Sequence, residues 1–276
     1  MIKDVLVNLP VGAANDTASQ YAISICAAFE AHLAGVAFAY EPTPPPTIIG
    51  TMPLDYVAAQ RAESERAASA TVARFDEAVR RAGIFGGSHV IGATIMGAAD
   101  TFGRLLRRFD LAVIGQSEPD RTGLAEPLIE AAMFESGRPL VVVPYIQKTG
   151  LALNRVMVCW DGGRMAARAI GDALPFLERA KQVDLVIVTS ESGKSDQIPG
   201  ADMGQHLARH GIKVEVKRIV SPDNDVPNTL LSYAADNATD FIVMGGYGHS
   251  RLREFVLGGV TRSILASMTA PTLLAH

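Results

Sequence analysis

Aromatic residues make up only 6% of this chain, and its 276 residues include one tryptophan and two cysteines. The core must therefore be mainly aliphatic, drawn from a hydrophobic fraction of 48%. Cys26 and Cys159 both sit in apolar runs, AISICAAF and RVMVCW, so buried free thiols are expected rather than a disulfide or metal framework, which fits a reducing cytoplasm. No stretch approaches the roughly 18 uncharged apolar residues that a membrane span needs. The opening MIKDVLVNLP lacks a cationic segment leading into an apolar one, so neither a span nor a secretory leader is expected. Basic excess is missing too. Residues 1–146 hold 11 Lys+Arg against 16 Asp+Glu, and the remainder 14 against 13, so no nucleic-acid partner is expected of either half.

What the sequence does have is order. Short β-branched runs alternate with longer helical patterns, the signature of βαβ crossovers and parallel sheets. DVLVNL, LAGVAFAY, SHVIGAT, DLAVIG and PLVVVPY form one set of candidate strands; RVMVCW, VDLVIVTS, IKVEVKRIV, DFIVMG and PTLLAH form a second. The sets match in order, and their fourth members match in wording: FDLAVIG against TDFIVMG. This internal duplication predicts an α/β fold of two tandem, doubly wound, Rossmann-like domains, each a five-stranded parallel sheet with helices on both faces. The expected domains are residues 1–146 and 152–276, joined near the polar connection YIQKTGLAL. In the first copy, EPTPPPTIIGTMP predicts an extended loop, and the segment from Leu54 to Gly83 predicts a long amphipathic helix.

Ligands of open parallel sheets sit beyond the carboxyl ends of the strands, where the strand order reverses. Two features of the second copy fall there. Asp161 follows the first strand in VMVCWDGG, and GGYGHSRLREFVLGGVTR follows the fourth. In the latter, Gly245-x-x-Gly248, nine residues, and Gly258-Gly259 remove side chains so that backbone N–H groups can converge on an anion, and a helix pattern begins directly behind. Phosphate at a helix N-terminus is the natural guest.

That spacing, with the strand-Asp signature, resembles the universal stress protein family, whose nucleotide loop reads G-x-x-G, nine residues, G-(S/T). The resemblance spans essentially the whole chain as two tandem family domains, and it implies a stress-response sensor or regulator that binds ATP or AMP, with magnesium accompanying ATP. By that resemblance Cys159, Asp161 and Val188 lie along the adenosine end. Met244, Gly245 and Gly248 line ribose and phosphates, and Gly258, Gly259 and Val260 close on the phosphates, while Ser250, Arg251 and Arg253 between the clusters read either as contacts to the terminal phosphates or as solvated loop side chains. Two departures stand out. Gly259 occupies the Ser/Thr position and omits one hydroxyl donor, which Thr261 is placed to replace. In the first copy Pro10 stands where the second has Asp161, Glu118 replaces the second loop glycine, and Glu118, Asp120 and Glu126 would repel phosphate, so a scaffolding role is expected there.

No catalytic residues are assigned: the histidines have no Ser or Cys partner in a nucleophile motif, so at most slow ATP hydrolysis is expected. No metal site is assigned either, because Asp202, His206 and His210 read as a solvated helix face. SGKS at 192–195 lacks the remainder of a phosphate loop, and Trp160 reads as a packing residue. The rival reading is a nucleotide-independent interaction module for a protein partner still to be identified. The family resemblance implies sheet-edge strands used for dimerisation, so PLVVVPY and PTLLAH are expected to pair within one chain as a pseudo-dimer, with homodimerisation of whole chains left open.

Overall fold

The computed structural model describes residues 1–13, 16–41, 54–117, 125–189, 200–221, 225–246 and 259–276. Ten strands and eight helices alternate along these residues. The first half runs β1 (Asp4–Leu9), α1 (Thr17–Phe29), β2 (His32–Tyr40), α2 (Leu54–Arg81), β3 (Gly86–Ala93), α3 (Ile95–Leu106), β4 (Leu111–Gly115), α4 (Ala125–Glu135) and β5 (Leu140–Val143). The second repeats that order: β6 (Arg155–Cys159), α5 (Arg164–Leu177), β7 (Gln182–Thr189), α6 (Ala201–Arg209), β8 (Val214–Val220), α7 (Val226–Asp236), β9 (Phe241–Gly245), α8 (Gly259–Ser267) and β10 (Thr272–Ala275). Every strand read from β-branched alternation is present, and the pairs β1–β2, β1–β4, β2–β3, β6–β7, β6–β9, β7–β8 and β9–β10 are parallel.

The chain forms two compact units, Ile2–Arg138 and Pro139–His276, the latter together with Met1. In the first unit the strand order is β3-β2-β1-β4, and in the second it is β5-β10-β9-β6-β7-β8. The sequence predicts five strands for each copy, and each copy supplies five. The fifth strand of the first copy, however, joins the second unit, where β5 runs antiparallel to β10 with Thr272 opposite Val142 and Leu274 opposite Leu140. All four residues of β5 and all four of β10 are buried, which explains the unbroken apolar character of both segments. The expected pairing of these two last strands within one chain is thus present.

Register and packing fix the faces of the second sheet. Phe176 of α5 stacks on Phe241 with ring centroids 5.1 Å apart, and Gly204 of α6 sits against Val216, so α5 and α6 share one face. Tyr233 of α7 reaches Asp184 on the other face, and α8 packs beside α7. The first unit is built alike: Ala18 of α1 and Phe75 of α2 face Gly115 and Leu9 on one side of the sheet, and α3 packs on α4. Sequential crossovers in one direction followed by a reversal put the first two helices on one face and the last two on the other.

The wording shared by FDLAVIG and TDFIVMG has a physical cause. Asp110 accepts hydrogen bonds through Oδ2 from the amides of Lys3 (2.8 Å) and Asp4 (3.1 Å), joining the start of β4 to that of β1. Asp240 does the same for Asn154 (2.7 Å) and Arg155 (2.9 Å), joining β9 to β6. Each carboxylate satisfies two amides that would otherwise lack partners at the amino edge of its sheet. No helix among the described residues is long and apolar enough to cross a membrane.

Candidate functional site

The carboxyl ends of β6, β7 and β9 lie side by side, in the order β9-β6-β7. Cys159 pairs with Val186 in register, which puts Val188 two residues further along the same face; Met157 pairs with Ile242, which puts Cys159 on the face shared by Met244. Three residues predicted from the sequence, Cys159, Val188 and Met244, therefore lie at one rim and on one face, the face that carries α7 and α8. Met244 is buried, while Cys159 and Val188 are half-buried. Burial, with the nearby Asp161 carboxylate, pushes the Cys159 thiol up to about 12, so it remains protonated at neutral pH and acts as an apolar wall rather than a nucleophile.

Asp161 lies just past the end of β6 and is exposed. Its Oδ1 accepts a hydrogen bond from the Gly163 amide at 2.7 Å, across Gly162, whose φ is +76°. The side chain thus closes an Asx-type turn that leads into α5. Gly163 is the N-cap of α5 and provides no side-chain cap, and the first turn of α5 contains no acidic residue. At α8, which begins at Gly259, the first turn also lacks an acidic residue; Gly259 and Val260 are exposed and Thr261 is buried. At α5 the Asp161 carboxylate reaches the N-cap amide from outside the helix, whereas the first turn of α8 carries no acid. The sequence reading passed over Gly163, although DGGR carried the signal: no Ser, Thr, Asp or Asn stands at the N-cap.

The corresponding helices of the first unit differ. Asp16 caps α1, accepting hydrogen bonds from the Ser19 amide at 2.9 Å and from the Ser19 hydroxyl. Burial raises its pKa above the ordinary 3.8, against the lowering effect of those hydrogen bonds and of Arg74. Glu126 lies in the first turn of α4. Both helix ends facing that rim already carry an acid.

Two backbone positions in the second unit do not need a ligand to account for them. A Cβ added to Gly245 would stand 2.5 Å from both Ala166 N and Met165 C, so this glycine is required by the close approach of α5. The Gly246 amide already donates to Ala275 O at 2.9 Å. Gly248, Ser250, Arg251, Arg253 and Gly258 lie outside the described residues, as do Glu118, Asp120, SGKS and most of the proline-rich loop.

Trp160 is half-buried; its Cδ1 lies 3.3 Å from where a Cβ on Gly200 would sit, on the α5–α6 face, which bears out a packing role. Asp202 accepts a hydrogen bond from the Met203 amide, and the rings of His206 and His210 meet edge-on at 4.8 Å. No metal-ligating group of three or more His, Cys, Asp or Glu occurs among the described residues.

Residues 152–276 match the model of the universal stress protein family. A universal stress protein of Synechocystis sp. is 30% identical over 142 residues, an alignment spanning 49% of this chain and 46% of that protein, so the chain spans about half the length of this curated relative. In fold, the chain is similar to a universal stress protein from Archaeoglobus fulgidus (TM-score 0.69, 15% identity, 98% of this chain and 97% of that one). It is also similar to a functionally unknown protein of Pseudomonas aeruginosa PAO1 (TM-score 0.65, 14% identity, 99% and 92%). Residues 152–276 thus form a domain of the universal stress protein family.

Proposed function

We propose that residues 152–276 bind ATP or AMP at the carboxyl rim of β6, β7 and β9, and that occupancy regulates the chain's association with a protein partner in a stress response. The supporting observation is geometric: Cys159, Val188 and Met244 lie on one face at the rim where α8 begins, and the first turn of α8 carries no acid, whereas Glu126 stands in the first turn of the matching α4. An uncovered helix N-terminus favours an anion through its partial positive charge and its unpaired N–H groups, and an acid at that end opposes one. On this reading Cys159, Val188 and Met244 wall the base, Asp161 faces the ribose, and Gly245, Gly248, Ser250 and Gly258 to Thr261 surround the phosphates. Magnesium would be held chiefly by phosphate oxygens and water. The repeats 1–146 and 152–276 divide the work, the first serving as scaffold. Binding, rather than turnover, is the proposed role, in the cytoplasm.

A second reading, a nucleotide-independent interaction module, is favoured by Gly245, whose missing side chain is explained by α5 alone. Calorimetric titration of the whole chain with ATP and AMP separates the two. Wild type binds, Gly248→Val does not, and Gly259→Ser, which restores a hydroxyl donor to the phosphates, tightens binding by about 10- to 100-fold. Absence of binding by wild type and by Gly259→Ser at millimolar nucleotide would overturn the nucleotide reading.

A further inference from the structure

The strands β3 and β8 are guarded unequally. Each pairs with one neighbour only among the described residues, β3 with β2 and β8 with β7, so each presents a free sheet edge. β8 carries Glu215, Lys217 and Arg218, charges of the kind that keep an edge from recruiting another strand. β3 has no such guard: residues 82–99 contain no Asp, Glu, Lys or Arg. The same segment instead exposes large apolar side chains, Phe85 (84%), Val90 (38%), Ile95 (50%) and Met96 (76%).

Hydrogen-bond parity fixes what this edge offers. The Leu33 amide donates to Phe85 O at 3.0 Å and the Glu41 amide to Ala93 O at 2.9 Å, so the odd-numbered residues from 85 to 93 turn their backbone groups toward β2. The N–H and C=O groups of Gly86, Ser88, Val90 and Gly92 therefore point away from the sheet. Two glycines of the strand have no cause within the chain. A Cβ on Gly87 would meet nothing within 4 Å, one on Gly92 would make only an ordinary contact with Glu41 at 3.6 Å, and neither has a positive φ. Glycine inside a strand, without such a cause, marks the close approach of another backbone.

The strand that fits this edge is β3 itself. In an antiparallel pair related by a two-fold axis at residue 89, Gly86 faces Gly92 of the second copy and Ser88 faces its Val90, each pair exchanging both backbone hydrogen bonds. This is the one register that pairs all four outward residues. It also sets Phe85 opposite Ala93 of the second copy, beside the start of α3 where Ile95 and Met96 are exposed, and symmetry makes that contact twice. We propose that the whole chain forms a homodimer by antiparallel pairing of β3 with β3 of a second copy. A strand of eight residues and a few side chains per copy belong to the class of small interfaces, below about 1,200 Å² in total, so the dimer is concentration-dependent, with a Kd of roughly micromolar order. This inference does not rest on nucleotide binding.

Sedimentation velocity of the full chain, without nucleotide, reads the equilibrium. Wild type shifts from monomer to dimer as its concentration rises to ~100 μM. Val90→Lys gives β3 a charge like those of β8, and Phe85→Asp removes the most exposed of its apolar side chains; each weakens association by about tenfold or more. Phe85→Asp, just outside the strand, carries the test if Val90→Lys disturbs the fold by circular dichroism. Val220→Lys, on the β8 edge and 48% exposed in wild type, leaves the equilibrium unchanged. Cysteine reads the register. Residues 89 of the two copies form a non-hydrogen-bonded pair with Cα atoms about 4.5 Å apart, so His89→Cys cross-links the dimer on oxidation beyond the wild-type level, whereas Gly87→Cys, opposite Ile91, does not. A wild type that stays monomeric at ~100 μM, a dimer that survives both Val90→Lys and Phe85→Asp, or equal cross-linking of the two cysteine variants overturns the proposal.

Discussion

Gly245→Ala separates packing from ligand binding. The added methyl would stand 2.5 Å from Ala166 N, 2.5 Å from Met165 C and 2.8 Å from Met165 Cβ. Two of these three atoms are backbone in the first turn of α5, so no rotamer change can relieve the contact and the helix itself must move. Overpacking of this kind costs about 1–3 kcal/mol. The duplicated position provides an internal control. Gly115 ends β4 as Gly245 ends β9, but a Cβ there would meet Ala18 Cβ at 3.6 Å, an ordinary contact, and neither glycine has a positive φ. Gly115→Ala should therefore be neutral or stabilise by up to ~1 kcal/mol through the reduced entropy of the unfolded chain. Urea titrations followed by circular dichroism, without nucleotide, measure both. Gly245→Ala should lower the unfolding midpoint at an unchanged slope, and in thermal melts lower Tm by roughly 2–12 °C. Equal effects of the two substitutions would refute the packing argument and return Gly245 to the ligand.

Asp240→Ala should destabilise the second unit by about 1–3 kcal/mol, since one carboxylate oxygen holds the amides of Asn154 and Arg155; Asp110→Ala should do the same to the first unit, and equilibrium unfolding monitored separately for each unit checks both. Asp16 provides a pH signature. Burial, the largest effect, raises its folded pKa above the unfolded 3.8, so the native state holds the proton more tightly, and this group's favourable contribution is present below 3.8 and lost as pH rises through the folded value. Asp16→Asn retains an acceptor for the Ser19 amide and removes the titration, so its stability relative to wild type should improve as pH rises from 3 towards 6. A pH-independent difference between the two proteins would count against the argument.

Much of this fold is written in the chain as periodicity. Runs of apolar, β-branched residues mark the inner strands, because parallel strands covered on both faces must be apolar throughout, whereas β3 and β8, exposed or half-buried along their length, carry polar residues. The match of FDLAVIG to TDFIVMG is legible as duplication, and its cause is the pair Asp110 and Asp240, each tying the amino ends of two adjacent strands. The destination of β5 is less legible. LVVV states that the strand is buried on both faces, but nothing local states that β10 is its antiparallel partner. Site residues divide in the same way. Cys159, Val188 and Met244 come together because strand order and parity fix them, and both can be read from spacing. Gly245 shows the limit: a sequence records that a side chain is missing, not whether a ligand or the backbone of α5 occupies the space.

The two copies share strand order, helix placement and the aspartate that ties their amino edges, yet the chemistry at their opposite rims has diverged through a few side chains. At α1 the N-cap is Asp16, and at α5 it is Gly163. At α4 the first turn holds Glu126, and at α8 it holds no acid. On the strand between, Asn8 stands where Cys159 stands in the second copy. Of these differences the one between α4 and α8 bears most directly on charge at the rim: an acid in the first turn opposes an anion at that helix end, and its absence favours one.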